Sequence, residues 1–293
     1  MLWTLKRKYQ RLVVTMKNKN LRLIRYDLVC GYKYNFKKLI IAVLFVLFNC
    51  ILFSAMVSRS MKVYSYVDVT LMDYLIYFFK GAKATDFDMG VVNIPVVFLG
   101  IQILIASMVG YYPFDDIYGY GKQVFIRVEK KTTWWISKCV WAFVTVLSFY
   151  AILYAIVLLY CLITGQDMSM TYHHDIVNYM DQAYIGAVKK SDMLLYVFVM
   201  PVIYSLMISF AQMTVSMLLN PIISFLFVMI YNIMGILLMS KGLLANYSMI
   251  LRNEMASGYD IKPIEGIIYM IIPMIVSIIV GLIVIRRKEI FEK

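Results

Sequence analysis

Six stretches of this chain run 19 to 26 residues each without Asp, Glu, Lys, Arg or His: 39–57, 91–111, 139–163, 193–218, 222–240 and 266–285. A helix needs about 20 such residues to cross the hydrocarbon core of a bilayer. Backbone in lipid must satisfy its own N–H and C=O groups, which limits spanning segments to helices and closed barrels. A barrel strand alternates apolar and polar side chains over about ten positions. These runs are continuous and much longer, so the expected fold is an all-α membrane protein with six transmembrane helices. Only 16% of residues are charged, against about 25% in soluble domains.

Lys and Arg set the expected orientation. With the N-terminus inside, the inner segments 1–38, 112–138, 219–221 and 286–293 hold 20 of the 29 basic residues. The positive-inside rule then puts both termini in the cytoplasm of a cell-membrane protein. The formal charge of +12 follows from contact with anionic lipid headgroups and calls for no nucleic acid. Eleven Lys and Arg precede the first apolar run, which is unlike a cleavable signal, so the start is expected to stay cytosolic.

The expected organisation is a basic cytoplasmic segment 1–38, a transmembrane domain 39–285 and a short tail 286–293. Residues 4–27 alternate basic and apolar positions and read as an amphipathic helix in the membrane plane, with NKN at 18–20 as a break. In the outer loops, 69–81 reads as a short helix on or dipping into the outer leaflet, and 241–265 as a modestly apolar segment that can form a short helix before the last span. Asn246-Tyr247-Ser248 fits a glycosylation pattern. His173 and His174 are a weak metal candidate, since adjacent histidines diverge on a helix. Cys30, Cys50, Cys139 and Cys161 form no C-x-x-C pair and read as reduced packing residues.

Much chemistry is missing. The six runs hold no ionisable side chain of the kind that marks proton relays or voltage sensors. No P-loop occurs; the nearest candidate, Gly121-Lys122, is followed by Gln123 and has Asp116 where the first glycine belongs. No catalytic residue, metal site or cofactor is expected in the chain itself. Pro201 and Pro273 fall inside spans four and six, where each frees a carbonyl that a neighbour must satisfy.

The segment between spans two and three stands apart. Residues 119–138, GYGKQVFIRVEKKTTWWISK, join basic and aromatic residues between two apolar runs. Trp134, Trp135 and Lys138 read as an interfacial anchor at headgroup level. From 95 to 141 the sequence, IPVVFLGIQILIASMVGYYPFDDIYGYGKQVFIRVEKKTTWWISKCVW, resembles permeases of the ATP-binding cassette type 2 exporter family. The resemblance lies in Asp115 and Asp116, Gly119 and Gly121, Ile126 and Arg127, Lys130 and Lys131, Trp134 and Trp135, and Ser137 and Lys138. A weaker likeness covers ANYSMILRNEM, 245–255.

This resemblance implies a coupling helix within 114–128 that docks on a cytosolic ATPase, through Asp115, Asp116, Tyr118, Gly121, Lys122 and Arg127. It implies two copies of a P-loop ATPase subunit, which would bind the ATP and Mg, and a second permease subunit, identical or different. It implies a cargo path between the two permeases, for which Asn49, Gln102, Ser107 and Asn232 are the polar candidates. A lining otherwise apolar suits an amphipathic or lipid-like cargo, antimicrobial or toxic peptides included. A non-transporting membrane scaffold or sensor is the alternative from another class. A secondary carrier is disfavoured by the uncharged spans.

Overall fold

In the computed structural model, residues 19–61, 69–83, 94–119, 131–173, 176, 190–254 and 260–287 are described. Among them the secondary structure is helical, with one isolated bridge between Thr70 and Asp167. The helices are α1 (Lys19–Met61), α2 (Leu71–Phe79), α3 (Val96–Val109), α4 (Tyr112–Tyr118) and α5 (Lys131–Thr164). Then follow α6 (Lys190–Leu194, a π-turn over Leu195–Val199, and Met200–Leu218), α7 (Pro221–Leu237) and α8 (Pro263–Arg287).

Five helical stretches are long and apolar enough to cross a membrane: Leu21–Arg59, Val96–Tyr118, Lys131–Thr164, Ser191–Leu218 and Pro263–Arg287. This is a polytopic helical membrane protein. The expected span 222–240 is the shorter helix α7, whose 17 residues reach only about 25 Å at the α-helical rise. Asn220 starts it by accepting from the Ile223 N–H, with Pro221 in the first turn.

The long helices alternate in direction. At one end, here called proximal, the start of α1 meets the start of α5 through Asp27 and Lys138. There too Lys131 on α5 donates to the Arg286 carbonyl of α8, and Ser216 on α6 to the Gly110 carbonyl after α3. At the distal end Phe53 of α1 stacks edge-on against Tyr74 of α2, and the Leu71 N–H bonds the Asp167 carbonyl after α5.

Three expectations change here. Residues 19–27 belong to the same continuous 43-residue helix as the first span, so no in-plane helix occupies them; residues 4–18 lie outside the described residues. Helix propensity carries across the basic stretch because Leu, Arg and Lys are all good helix formers. The distal helix α2 does form, fixed by a reciprocal capping box between Thr70 and Asp73 and ended by Gly81 at φ +72°. All nine of its residues are buried inside the protein, so it is core and not a leaflet helix. Residues 245–253, finally, form two 3-10 turns that are buried throughout.

Pro201 behaves as its chemistry requires. The Val197 carbonyl, four residues before it, accepts the Tyr154 hydroxyl at 2.8 Å, and the Pro201 carbonyl accepts Tyr150 at 3.0 Å. The π-turn Leu195–Val199 contains Val197 and ends two residues before Pro201, a place where such turns absorb a disrupted ladder.

Candidate functional site

Helix α4 is the described part of the expected docking segment. Pro113 lies in its first turn, where a missing N–H costs nothing. Its two acidic residues point opposite ways. Asp115 is exposed and accepts the Tyr34 hydroxyl of α1 at 2.6 Å. Asp116 is buried and takes the Lys138 ammonium at 2.6 Å. Tyr118 is 55% exposed and stacks on Phe114. Gly121, Lys122 and Arg127 lie outside the described residues.

Lys138 is the centre of this end. Its Nζ also meets Asp27 Oδ1 of α1 at 2.6 Å, and both side chains are fully buried. The second Asp27 oxygen accepts Ser137 Oγ at 2.5 Å, and the first also accepts the Tyr112 hydroxyl at 3.2 Å. The ammonium lies 4.3 Å from the Tyr112 ring centre and 5.0 Å from that of Trp134, within cation–π range. Two carboxylates, one ammonium, two hydroxyls and two aromatic faces thus meet in a buried site. Desolvating charge this far is tolerable only when every lone pair and proton finds a partner.

The expected interfacial anchor is therefore corrected. Trp134, Trp135 and Lys138 have no exposure at all. The reason is register: α5 is already helical at Lys131, the first residue described there, about two turns before Cys139. Residues 134, 135, 138, 141, 142 and 145 then share the buried face at helical spacing. Trp135 donates to the Ile278 carbonyl at 2.9 Å, and its ring lies where a Cβ on Gly281 of α8 would stand. Asp116 likewise is an internal partner and not a protruding docking charge.

The four cargo-path candidates are satisfied within the chain. Asn49 and Asn232 are buried, and each donates at 2.8 Å to the carbonyl one turn earlier, Phe45 and Val228. Asn232 also accepts the Tyr204 hydroxyl at 3.0 Å. Gln102 is buried and shares Ser205 with Tyr150. Ser107 is half-buried and bonds the Leu104 carbonyl. Gln102 and Asn232 both meet α6 side chains, at the neighbouring residues Ser205 and Tyr204.

The distal end holds a second buried charge. Arg252 directs Nε to the Ala82 carbonyl (2.9 Å) and Nη2 to that of Ile236 (2.5 Å). Its Nη1 reaches the Asn246 amide oxygen at 2.8 Å. Ile236 ends α7, so the cation also meets the negative end of a helix dipole. Three glycines make room for this strap. A Cβ on Gly81, Gly235 or Gly266 would stand within 2.6 Å of Met249, Ala245 or Tyr247. Asn246 is fully buried and its amide donates to the Leu238 and Ser240 carbonyls, so the glycosylation pattern is out of reach in the folded chain.

His173 does not join a metal set. Its Nδ1 sits 2.9 Å from Asp73 Oδ2, and its N–H donates to the other oxygen. No group of three candidate ligands occurs among the described residues, and His174 lies outside them. Sequence reasoning missed Asp27, Tyr112 and Arg252. One signal was available: Asp27 is the only acidic residue before Asp68.

Fold and site together define a multi-helix membrane protein with a buried ionic centre at one end and an arginine strap at the other. Residues 70–291 match a family described as protein of unknown function (DUF2705), and the chain belongs to that family. No curated protein and no solved structure matches it.

Proposed function

We propose that this chain is the transmembrane permease subunit of a bacterial ATP-driven exporter, with six spans and both ends in the cytosol. The observation that carries the reading is the stretch 95–141 and its resemblance to type 2 exporter permeases. The described ends, Lys19 and Arg287, lie at the same end of the bundle as α4, which supports it. So does the short, partly exposed α4, with Asp115 and Tyr118 outward. A partner ATPase would bind ATP and Mg, and a second permease would complete the path. The cargo would be amphipathic or lipid-like, peptides included.

The test is a mild-detergent pulldown of the tagged full chain from native membranes, with partners identified by mass spectrometry. The expected result is a cytosolic P-loop ATPase in equal amount. A chain that comes out alone, or with signalling proteins only, sinks the reading in favour of a scaffold or sensor.

A further inference from the structure

We propose that Lys138 is a positioning residue, the pivot of a latch that makes α4, α1 and α5 move as one body. The mechanical use of the latch in export rests on the permease reading; the latch itself does not.

The argument begins with how α4 is held. It has seven residues, too few to hold its place by helix stability alone. Its polar ties run to two other helices. Asp116 binds Lys138 of α5, Tyr112 donates to Asp27 of α1, and Asp115 accepts Tyr34 of α1. Asp27 in turn takes both Lys138 and Ser137 of α5. One ammonium therefore closes a ring that ties the consecutive helices α4 and α5 to the distant α1.

Burial gives the ring its stiffness. In water a displaced carboxylate is resolvated at once; here Asp27 and Lys138 have no exposure. Sliding α4 away from α1 strips Tyr112 of Asp27, and sliding it away from α5 strips Asp116 of Lys138, where little solvent replaces the lost partner, and that cost rises steeply. Between α1 and α5 the fit is equally close. Trp141 occupies the space where a Cβ on Gly31 would stand, and Tyr32 bonds Ser148. A push on the outward face of α4, at Asp115 and Tyr118, thus reaches two long helices through these side chains.

The closing experiment uses the full chain in two formats. In nanodiscs, with the native cysteines replaced, spin labels at Tyr118→Cys and Phe36→Cys report the α4–α1 separation by pulsed electron resonance. With its partners, export per ATP hydrolysed is measured on unlabelled chain. Asp116→Asn is expected to widen the distance distribution and lower export per ATP by about tenfold. Asp116→Glu is expected to restore both, and Asp260→Asn at the distal surface to change neither. If Asp116→Asn does not fold, Ser137→Ala, which removes one donor from Asp27, is expected to widen the distribution less. A distribution as narrow as wild type in Asp116→Asn, or in Ser137→Ala where the first does not fold, overturns the latch. Widening with undiminished export per ATP overturns its role in coupling. Widening in a chain that has no ATPase partner supports the latch and removes the exporter reading instead.

Discussion

At the proximal end a lysine meets two carboxylates carried by separate helices, Asp27 and Asp116. At the distal end an arginine meets backbone carbonyls of Ala82 and Ile236 and the amide of Asn246. The contrast follows from the shapes of the two cations. Guanidinium is planar and presents five donors in a fixed fork, so it can serve several carbonyls at once. Ammonium is a compact charge with rotatable donors and suits two carboxylates approaching from different sides. The proximal contacts join side chain to side chain. The distal contacts join a side chain chiefly to backbone already fixed by helix and turn, together with the Asn246 side chain. One end is thus an adjustable junction between helices and the other a fixed closure.

Breaking each end tests that contrast. The largest effect is expected for Lys138→Met, which leaves two buried carboxylates facing each other and costs about 3–5 kcal/mol. Thermal unfolding in detergent should show a steep loss; a variant with wild-type melting would mean the centre is hydrated and the junction weak. Arg252→Lys keeps the charge but not the fork, and is expected to cost about 1–3 kcal/mol. The same melting assay checks it, and equal stability would show that charge rather than geometry holds the strap.

The smallest effect belongs to the exposed distal cluster. Lys241 and Lys262 hydrogen-bond Asp260 and hold its carboxyl below the usual carboxylate range. A depressed pKa means the group helps the fold above its unfolded value, about 3.9, and loses that help as pH falls through the folded value. Wild type should exceed Asp260→Asn slightly at pH 5, converge with it in stronger acid, and lose the difference in high salt. A gap that persists in salt would show the cluster to be more than a screened surface network.

The hydrophobic runs made the long helices legible, and α8 matches 266–285 within a few residues at each end. The ionic centre was hidden by the same reasoning that found the helices. A hydropathy window ends at the nearest charge, so it makes Lys138 a boundary residue, whereas α5 extends about two turns further towards Lys131. Asp27 lay among basic residues and took their amphipathic label. The strap was hidden differently. Residues 245–253 have neither helical nor strand period, and what buries them is the missing Cβ of Gly81, Gly235 and Gly266. Those glycines come from three distant places in the chain, and no local pattern links them.

The strap also has a consequence for biogenesis. A ribosome delivers the chain N-terminus first, and the strap leaves it after Gly81 and Gly235 but before Gly266. Tyr247 lies against Gly266 and the nearby Met200, so half of its seat arrives with α8. Until the last helix enters the membrane, Tyr247 lacks the Gly266 side of its seat, although the partners of Arg252 have all been made. A chain stalled or cut before α8 would leave Tyr247 without that cover, which gives membrane quality control a physical mark of an incomplete product.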